Sequence, residues 1–248
     1  MALTLLCATL LRAAEFDHTH AALDRVLQAR VKKERVDYAA LKADRQDLEA
    51  WLKSAGAVPE AEFNRWTQPQ QLAFLINLYN AATLRLILDH YPVKSIKDIG
   101  NIFKGPWKQE VVPLLGKTVT LDHLEHGVLR KNYAEPRVHF AIVCAAKGCP
   151  PLRAGAFVAD KLDAQLEEQG RIFLGTKEKN RWDAAAGVLY LSPIFKWFSA
   201  DFEKKSGSVV KFVTPYFSPE DQKTIAAARS PEVRYTDYDW SLNSQPKP

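Results

Sequence analysis

The hydrophobic residues of the chain recur mainly at the three- and four-residue spacing of amphipathic helices. This pattern predicts helices over residues 18–33 and 39–55, each with one apolar side. Residues 68–90 are apolar on nearly every side, which is typical of a helix buried in a core. Pro69 lies near the start of that segment, in the first turn, where its missing N–H is not needed.

The second half of the chain alternates shorter periodic segments with extended ones. The clearest strand prediction is residues 138–144 (VHFAIVC), a continuous apolar run followed by a loop over 145–151. Further helices are predicted over 121–131, 158–174, 193–203, 208–217 and 220–228, and short strands over 111–115, 188–191 and 233–238. The whole pattern predicts an α+β fold, a helix-rich domain around a small mixed or antiparallel sheet.

No internal repeat, low-complexity tract or flexible linker divides the chain, so we expect residues 15–248 to form one domain. Of the 248 residues, 47% are hydrophobic and 25% are charged, which is ordinary for a globular protein with a substantial core. The formal net charge is +5, but basic and acidic residues are interspersed. This argues against a nucleic-acid partner and leaves a weak association with an anionic envelope surface open.

Residues 1–14 (MALTLLCATLLRAA) are almost wholly apolar, and polar sequence begins at Glu15. Such a run is too short to span a bilayer and resembles the hydrophobic region of a secretory signal peptide. No basic residue precedes the run and Arg12 lies close to the expected cleavage point, so a plain N-terminal helix is the alternative. We expect a signal peptide over 1–14 and a periplasmic or otherwise exported mature protein.

Five segments resemble, in their order along the chain, the motifs of the DUF547 family, a bacterial family with exported members. They are AFLINLYNAAT (73–83), LDHLEHGVLR (121–130), RVHFAIVCAAKGCPPL (137–152), LSPIFKWFSADF (191–202) and YDWSLN (238–243). Each segment alone is weak evidence, whereas the ordered set is specific. The resemblance implies no activity, so the chemistry has to be inferred from the residues themselves.

Cys144, at the end of the predicted strand, and Cys149, in the loop after it, are the first candidates for chemistry. A cysteine nucleophile needs a base, and His139 is the nearest histidine in sequence. Side chains alternate along a strand, so His139 and Cys144 should point to opposite faces about 16 Å apart. On this reasoning His139 could reach Cys149 only if the loop folds back.

The two cysteines have other interpretations. Signal cleavage would remove Cys7 and leave Cys144 and Cys149 as an even pair, which in an oxidising compartment favours a disulfide. A C-x4-C pair is wider than the C-x-x-C of typical thiol redox proteins. Inert packing is the third alternative, because cysteine is among the most buried residue types.

The segment around His126 is a second candidate. His123 and His126 lie three residues apart on one face of the predicted helix, and Glu125 projects elsewhere. His126 could be a base polarised by a carboxylate such as Glu125, or a surface histidine bonded to a backbone carbonyl. Together with the cysteines these histidines form only a weak outline of a zinc site, and we expect no metal.

Four further residues are candidates for binding or orienting roles. Asn77 and Asn80 lie on a polar stripe of the buried helix, where they could fasten loops or orient a catalytic histidine. Lys196 and Asp239 are candidates for contact with a substrate or a histidine, and ion pairing or capping is the alternative. Asp201 is expected to pair with a basic residue.

The leading hypothesis is a thiol-dependent hydrolase or acyltransferase of the cell envelope, similar by analogy to papain or transglutaminase and acting on an amide or thioester of a small-molecule or peptide-like substrate. Cys149 would be the nucleophile, with Cys144 as its alternate, and His139 or His126 the base. The alternatives are a binding or scaffold domain with a Cys144–Cys149 disulfide, and a thiol redox protein. Nucleotide-binding and serine-hydrolase motifs are absent from the sequence, so no cofactor is expected.

Overall fold

A computed structural model describes residues 15–228 and 230–246 of the chain. The predicted signal peptide, residues 1–14, lies outside the described residues, and that interpretation stays a prediction. Within the described part, helices dominate and the strands are short. The predicted helix-rich α+β fold is confirmed.

The helices follow one another with few long gaps. They are α1 Ala21–Arg30, α2 Tyr38–Ala43, α3 Gln46–Gly56, α4 Glu60–Phe63, α5 Gln68–His90, α6 Arg130–Asn132, α7 Leu162–Gly175, α8 Ile194–Trp197, α9 Ser199–Ser206, α10 Val209–Val213 and α11 Pro219–Ala227. Short 3-10 turns lie at Ile96–Asp98, Pro106–Lys108, Pro136–Phe140, Ala159–Lys161 and Thr214–Tyr216, and a π-helical stretch at His123–Leu129.

The strands form three small sheets rather than one. They are β1 Val31–Lys32, β2 Arg35–Val36, β3 Glu110–Leu114, β4 Lys117–Thr120, β5 Arg181–Asp183, β6 Val188–Leu191 and β7 Glu232–Tyr235. The pairs β1–β2 and β3–β4 are antiparallel hairpins. In the third sheet β6 is central, antiparallel to β5 and parallel to β7.

Helix α5 is the centre of the larger hydrophobic core. Thr67 and Gln70 form a capping box at its start, where each side chain bonds the other residue's backbone N–H, and Pro69 occupies the first turn. The helix is long and apolar enough to cross a membrane, but nearly all of it is buried inside the protein. It packs against α3 and β3 and is a core helix, as its all-round hydrophobicity predicts.

The strand predicted over residues 138–144 was wrong. The segment forms a 3-10 helix at Pro136–Phe140 and then runs irregularly. The side chain of Asn80 on α5 makes backbone hydrogen bonds that a neighbouring strand would otherwise make. Its Nδ2 donates to the Ala141 carbonyl at 2.9 Å, and its Oδ1 accepts from the Val143 N–H at 3.0 Å. A continuous apolar run reports burial and not the element that is buried, and here it is buried against a helix.

Other predicted elements were correct in kind but not in extent. The helix expected over 39–55 breaks at Asp44 and Arg45 into α2 and α3. Thr120 caps the next segment, since its Oγ1 accepts from the His123 N–H at 2.9 Å, but the turns that follow are π-helical. A second, aromatic core lies beside the first and is built mainly from Phe140, Phe173, Phe195, Phe202 and Phe212.

Candidate functional site

A cavity of about 600 Å³ brings together most of the residues that the sequence marked as candidates for catalysis. Its polar wall consists of Tyr79, Asp122, Glu125, His126, His139, Cys144, Cys149 and Tyr238. Its apolar wall and rim include Ile102, Phe103, Trp107, Ile142, Ile194, Trp197, Phe198 and Trp240. An apolar pocket with a few convergent polar groups is the usual form of a small-molecule site.

Cys144 and Cys149 are joined by a disulfide in the wall of this cavity, with their Cα atoms 6.3 Å apart. Cys149 is buried, and Cys144 is partly exposed. The Cys149 Sγ accepts hydrogen bonds from the Cys144 N–H at 3.0 Å and from the Tyr238 hydroxyl at 3.1 Å. The same hydroxyl lies 3.1 Å from the Cys144 Sγ, so the Tyr238 hydroxyl is within hydrogen-bond distance of both sulfurs.

The loop between the cysteines is fastened to the C-terminal segment. The Gly148 N–H donates to the Asp239 carbonyl at 2.8 Å, and the Asn243 N–H donates to the Ala145 carbonyl at 2.9 Å. Ala145 adopts a left-handed backbone conformation with φ of 58°, which is uncommon for a residue with a Cβ atom. A Cβ atom on Gly148 would lie 2.9 Å from the Tyr238 ring, so glycine is what permits this close approach.

His139 lines the same cavity and is held by a carboxylate. Its Nε2 lies 2.8 Å from Asp201 Oδ2, and its ring stacks on Phe198 with centroids 3.9 Å apart. Arg130 also binds Asp201, through Nε at 2.6 Å and Nη2 at 3.1 Å. Burial opposes ionisation of Asp201, but the hydrogen bonds from His139 and Arg130 and their charges outweigh it and hold the pKa of Asp201 well below its usual value.

Because residues 138–144 do not form a strand, the sequence argument that places His139 and Cys144 on opposite faces of a strand does not hold. His139, Cys144 and Cys149 all line the same cavity. No hydrogen bond joins His139 Nδ1 to another residue of the described ranges, whereas Nε2 is committed to Asp201. The hydrogen bond at Nε2 therefore orients the imidazole, and Nδ1 remains available for a hydrogen bond with a ligand.

His126 and Glu125 occupy the π-helical stretch but act apart. His126 is exposed, with Nδ1 at 2.8 Å from Arg130 Nη1 and Nε2 at 3.5 Å from Asp122 Oδ1. Glu125 is buried and accepts a hydrogen bond from the Tyr79 hydroxyl at 3.0 Å. Burial and the Glu125 carboxylate raise the pKa of Tyr79 well above its ordinary value. Glu125 thus places a carboxylate in the cavity and does not polarise His126.

The remaining candidates lie at its edges or away from it. Asn77 donates to the Phe157 carbonyl at 2.8 Å and accepts from the Phe157 N–H at 3.0 Å, and Asn80 bonds residues 141 and 143 in the same way. Both amides fasten loops to α5. The Asp239 carboxylate is exposed and bonds the N–H and hydroxyl of Ser241. The Lys196 ammonium lies 5.8 Å from the Tyr235 ring centroid, and Lys196 is not part of the cavity wall.

Sequence reasoning missed the phenol and carboxylate that organise the site. Asp201 was expected to pair with a basic residue, and it does so with Arg130, but its bond to His139 was not foreseen. Tyr238 received no role at all. Both residues lie in segments that carry the family resemblance, LSPIFKWFSADF and YDWSLN, so their positions were visible as motif residues without a stated function. Over the described ranges, no cluster of three or more histidine, cysteine, aspartate or glutamate residues is arranged to hold a metal ion.

Comparison with known proteins gives a family and no activity. No curated protein and no solved structure matches the chain. Residues 63–174 match a family model described as "Protein of unknown function, DUF547". The matched range contains His126, His139 and both cysteines of the disulfide, and ends before Asp201 and Tyr238. Over residues 63–174 the chain is similar to the DUF547 family, and the match covers less than half of its 248 residues.

Proposed function

We propose that this cavity is the active site of a thiol-dependent acyl-transfer enzyme, a hydrolase or acyltransferase that acts on an amide or thioester. The observation that carries the proposal is a histidine bonded to a carboxylate that lines the same cavity as two sulfurs. Nucleophile, base and orienting group are the minimal set for covalent acyl transfer.

Cys149 is the nucleophile in this proposal. Two donors, the Cys144 N–H and the Tyr238 hydroxyl, already point at its Sγ at 3.0 and 3.1 Å. Hydrogen bonds to a sulfur favour its thiolate form, which is the reactive one. Cys144 is the partly exposed partner that closes the disulfide, and the oxidised pair is the resting form. A thiol reductant converts it with two electrons and two protons into two free thiols.

His139 is the base. With Nε2 bonded to Asp201, Nδ1 accepts the proton of the Cys149 thiol, and Asp201 stabilises the resulting imidazolium. The thiolate adds to the acyl carbonyl, the imidazolium protonates the departing amine or thiol, and an acyl-thioester of Cys149 remains. Water or a second nucleophile, deprotonated by the same imidazole, then releases the acyl group and restores the thiol.

The test uses p-nitrophenyl acetate as an acyl donor with protein that has been reduced and with protein left oxidised. We expect p-nitrophenol release and an acetyl group mapped to Cys149 only after reduction. Cys149→Ser should abolish both signals, and His139→Gln should slow both by at least about 10²-fold. His90→Gln should change neither, because His90 lies at the exposed end of α5 and bonds Leu86. Equal acetylation of the oxidised and reduced protein would refute the proposal.

The second candidate is a binding or scaffold domain in which the disulfide is structural, and the burial of Cys149 favours it. In that case Cys144→Ser should cost about 2 kcal/mol in the free energy of unfolding, as for a short closed loop, and should reveal no activity. In the enzymatic proposal the same variant instead removes the need for reductant. Urea unfolding beside the acyl-transfer assay separates the two candidates.

A further inference from the structure

The turn at residues 101–104 presents two large apolar side chains to solvent at the rim of the cavity. Ile102 is 92% exposed and Phe103 is 86% exposed. The turn is held by hydrogen bonds: Asn101 N–H donates to the Lys104 carbonyl at 3.1 Å, and Asn101 Oδ1 accepts from the N–H groups of Phe103 and Lys104 at 2.9 Å each. Gln109 Nε2 adds a bond to the Lys104 carbonyl at 2.9 Å. The exposure is therefore built into a fixed turn.

Adjacent exposed residues of this size mark interaction surfaces in soluble proteins. Trp197, 47% exposed, and the partly exposed Trp107 and Trp240 continue the same rim. Ile102 and Phe103 themselves line the cavity. Whatever covers the turn therefore also covers the entrance to the site.

The charge around the turn indicates what that partner is. Lys97, Lys104 and Lys108 are exposed, and none of them forms a salt bridge with an acid of the described ranges. Asp98, the acid next to Lys97, is occupied by the backbone N–H groups of residues 94 and 95. Glu110, two residues after Lys108, is exposed and forms no salt bridge with a residue of the described ranges. The Lys97 ammonium lies 3.8 Å from the centroid of the Trp240 ring, so cation and aromatic rim are contiguous.

We propose that this rim docks on an anionic lipid bilayer, with Ile102 and Phe103 inserted among the acyl chains and the three lysines on the headgroups. Apolar anchors beside basic residues are the combination that binds such surfaces. A second copy of the chain is a poorer partner because it would bring the same lysines together. Docking turns the cavity entrance toward the lipid and does not depend on the cysteine chemistry proposed above.

The test is sedimentation of the full chain, disulfide intact, with vesicles of phosphatidylglycerol or of phosphatidylcholine. We expect binding to the anionic vesicles that weakens with added salt and is at least about tenfold weaker for Ile102→Ser/Phe103→Ser. The matched control is Ile172→Ser, since Ile172 is an exposed apolar residue (39%) on α7 outside this cavity. It should bind as the unaltered protein does. Equal binding by the turn variant and the unaltered protein would overturn the inference.

Lysine substitutions distinguish this rim from a second cationic surface of the protein. That surface is formed around a distinct cavity by Lys32, Lys33, Arg35 and Lys147. We expect Lys104→Gln/Lys108→Gln to weaken binding by about fivefold or more and Lys32→Gln/Lys33→Gln to leave it unchanged. The reverse result would place the membrane contact on the other surface and refute the proposal. Cys149→Ser, which cannot form the proposed acyl-enzyme, should still bind the anionic vesicles, so a failure of docking is distinct from a failure of the proposed chemistry.

Discussion

His20 and His139 are both buried, but they differ in their hydrogen-bond partners and in their access to a cavity. At the N-terminal side, His20 is 1% exposed and packs against Phe16 and Trp51. Neither of its ring nitrogens has a hydrogen-bond partner in the described structure. His139 is equally buried, at 3% exposed, yet Asp201 fixes its Nε2 and its ring lines a cavity.

The contrast is electrostatic. Burial, with the neighbouring His18 as a smaller contribution, lowers the pKa of His20 to about 4, so this ring stays neutral and serves as packing. Asp201, kept ionised by His139 and Arg130, gives His139 a charged hydrogen-bond partner, which His20 lacks. A buried imidazole becomes chemically useful when one nitrogen is fixed by a carboxylate and the other faces a cavity.

The largest expected effect is a difference in acyl-transfer rate between substitutions of His139 and of His20. His139→Gln should lower the rate of acyl transfer by at least about 10²-fold, because a positioned general base contributes that much. His20→Phe should leave the rate nearly unchanged. Steady-state rates with the reduced protein measure both. A comparable loss in both variants would mean that His139 acts only through the fold.

The next effect sharpens the role of the carboxylate. Asp201→Asn should lower the acyl-transfer rate by about 10²-fold, since the imidazole loses the charge that orients and stabilises it. Asp163→Asn is the control, because Asp163 pairs with Arg137 at 2.8 Å outside the cavity. Unaltered kinetics in Asp201→Asn would show that Asp201 serves only the ion pair with Arg130.

A third effect concerns stability and pH at His20. Its folded pKa of about 4 lies below the ordinary value of 6.5, so the unfolded chain binds the proton first as the pH falls. The contribution of His20 to the free energy of unfolding is therefore fully present above about pH 6.5 and is lost as the pH falls toward 4. We expect the free energy of unfolding to be about 2 kcal/mol lower at pH 5 than at pH 7.5. Urea unfolding at both values measures this. His20→Phe should flatten most of the slope, and an unchanged slope would contradict the assignment.

The smallest effect concerns the disulfide in the cavity wall and the Tyr238 ring beside it. Gly148→Ala should displace the Tyr238 ring, because the added Cβ atom would lie 2.9 Å from it, and we expect about tenfold slower acyl transfer with a stability loss of about 1–3 kcal/mol. Gly175→Ala is the matched control, as its Cβ atom would meet nothing within 4 Å. Normal kinetics in Gly148→Ala would remove Tyr238 from the proposed mechanism.

Local signals in the sequence were reliable where the physics is local. The all-round apolar run and Pro69 identified α5, and the helix predicted over 121–131 covers the π-helical stretch His123–Leu129. Periodicity also located β6 and α7. These elements depend on capping and burial patterns within a few residues of one another.

The site could not be predicted as fully because long-range partners determine it. The run VHFAIVC has strand composition, yet Asn80, about sixty residues earlier, satisfies the backbone that a sheet would have satisfied. The assumption of a strand led to the prediction that His139 and Cys144 lie on opposite faces and far apart. Asp201 and Tyr238 reach the site from sequence separations of 62 and 89 residues, which no local spacing rule reports.

The most direct test of the central claim, that His139 activates Cys149, is the rate of alkylation by iodoacetamide at pH 7. Cys7→Ser/Cys144→Ser leaves Cys149 as the single thiol among the three cysteines of the chain. We predict that adding His139→Gln to this background slows carboxamidomethylation of Cys149 at least about tenfold, because the base that generates the thiolate is gone. Equal rates with and without His139 would contradict the account.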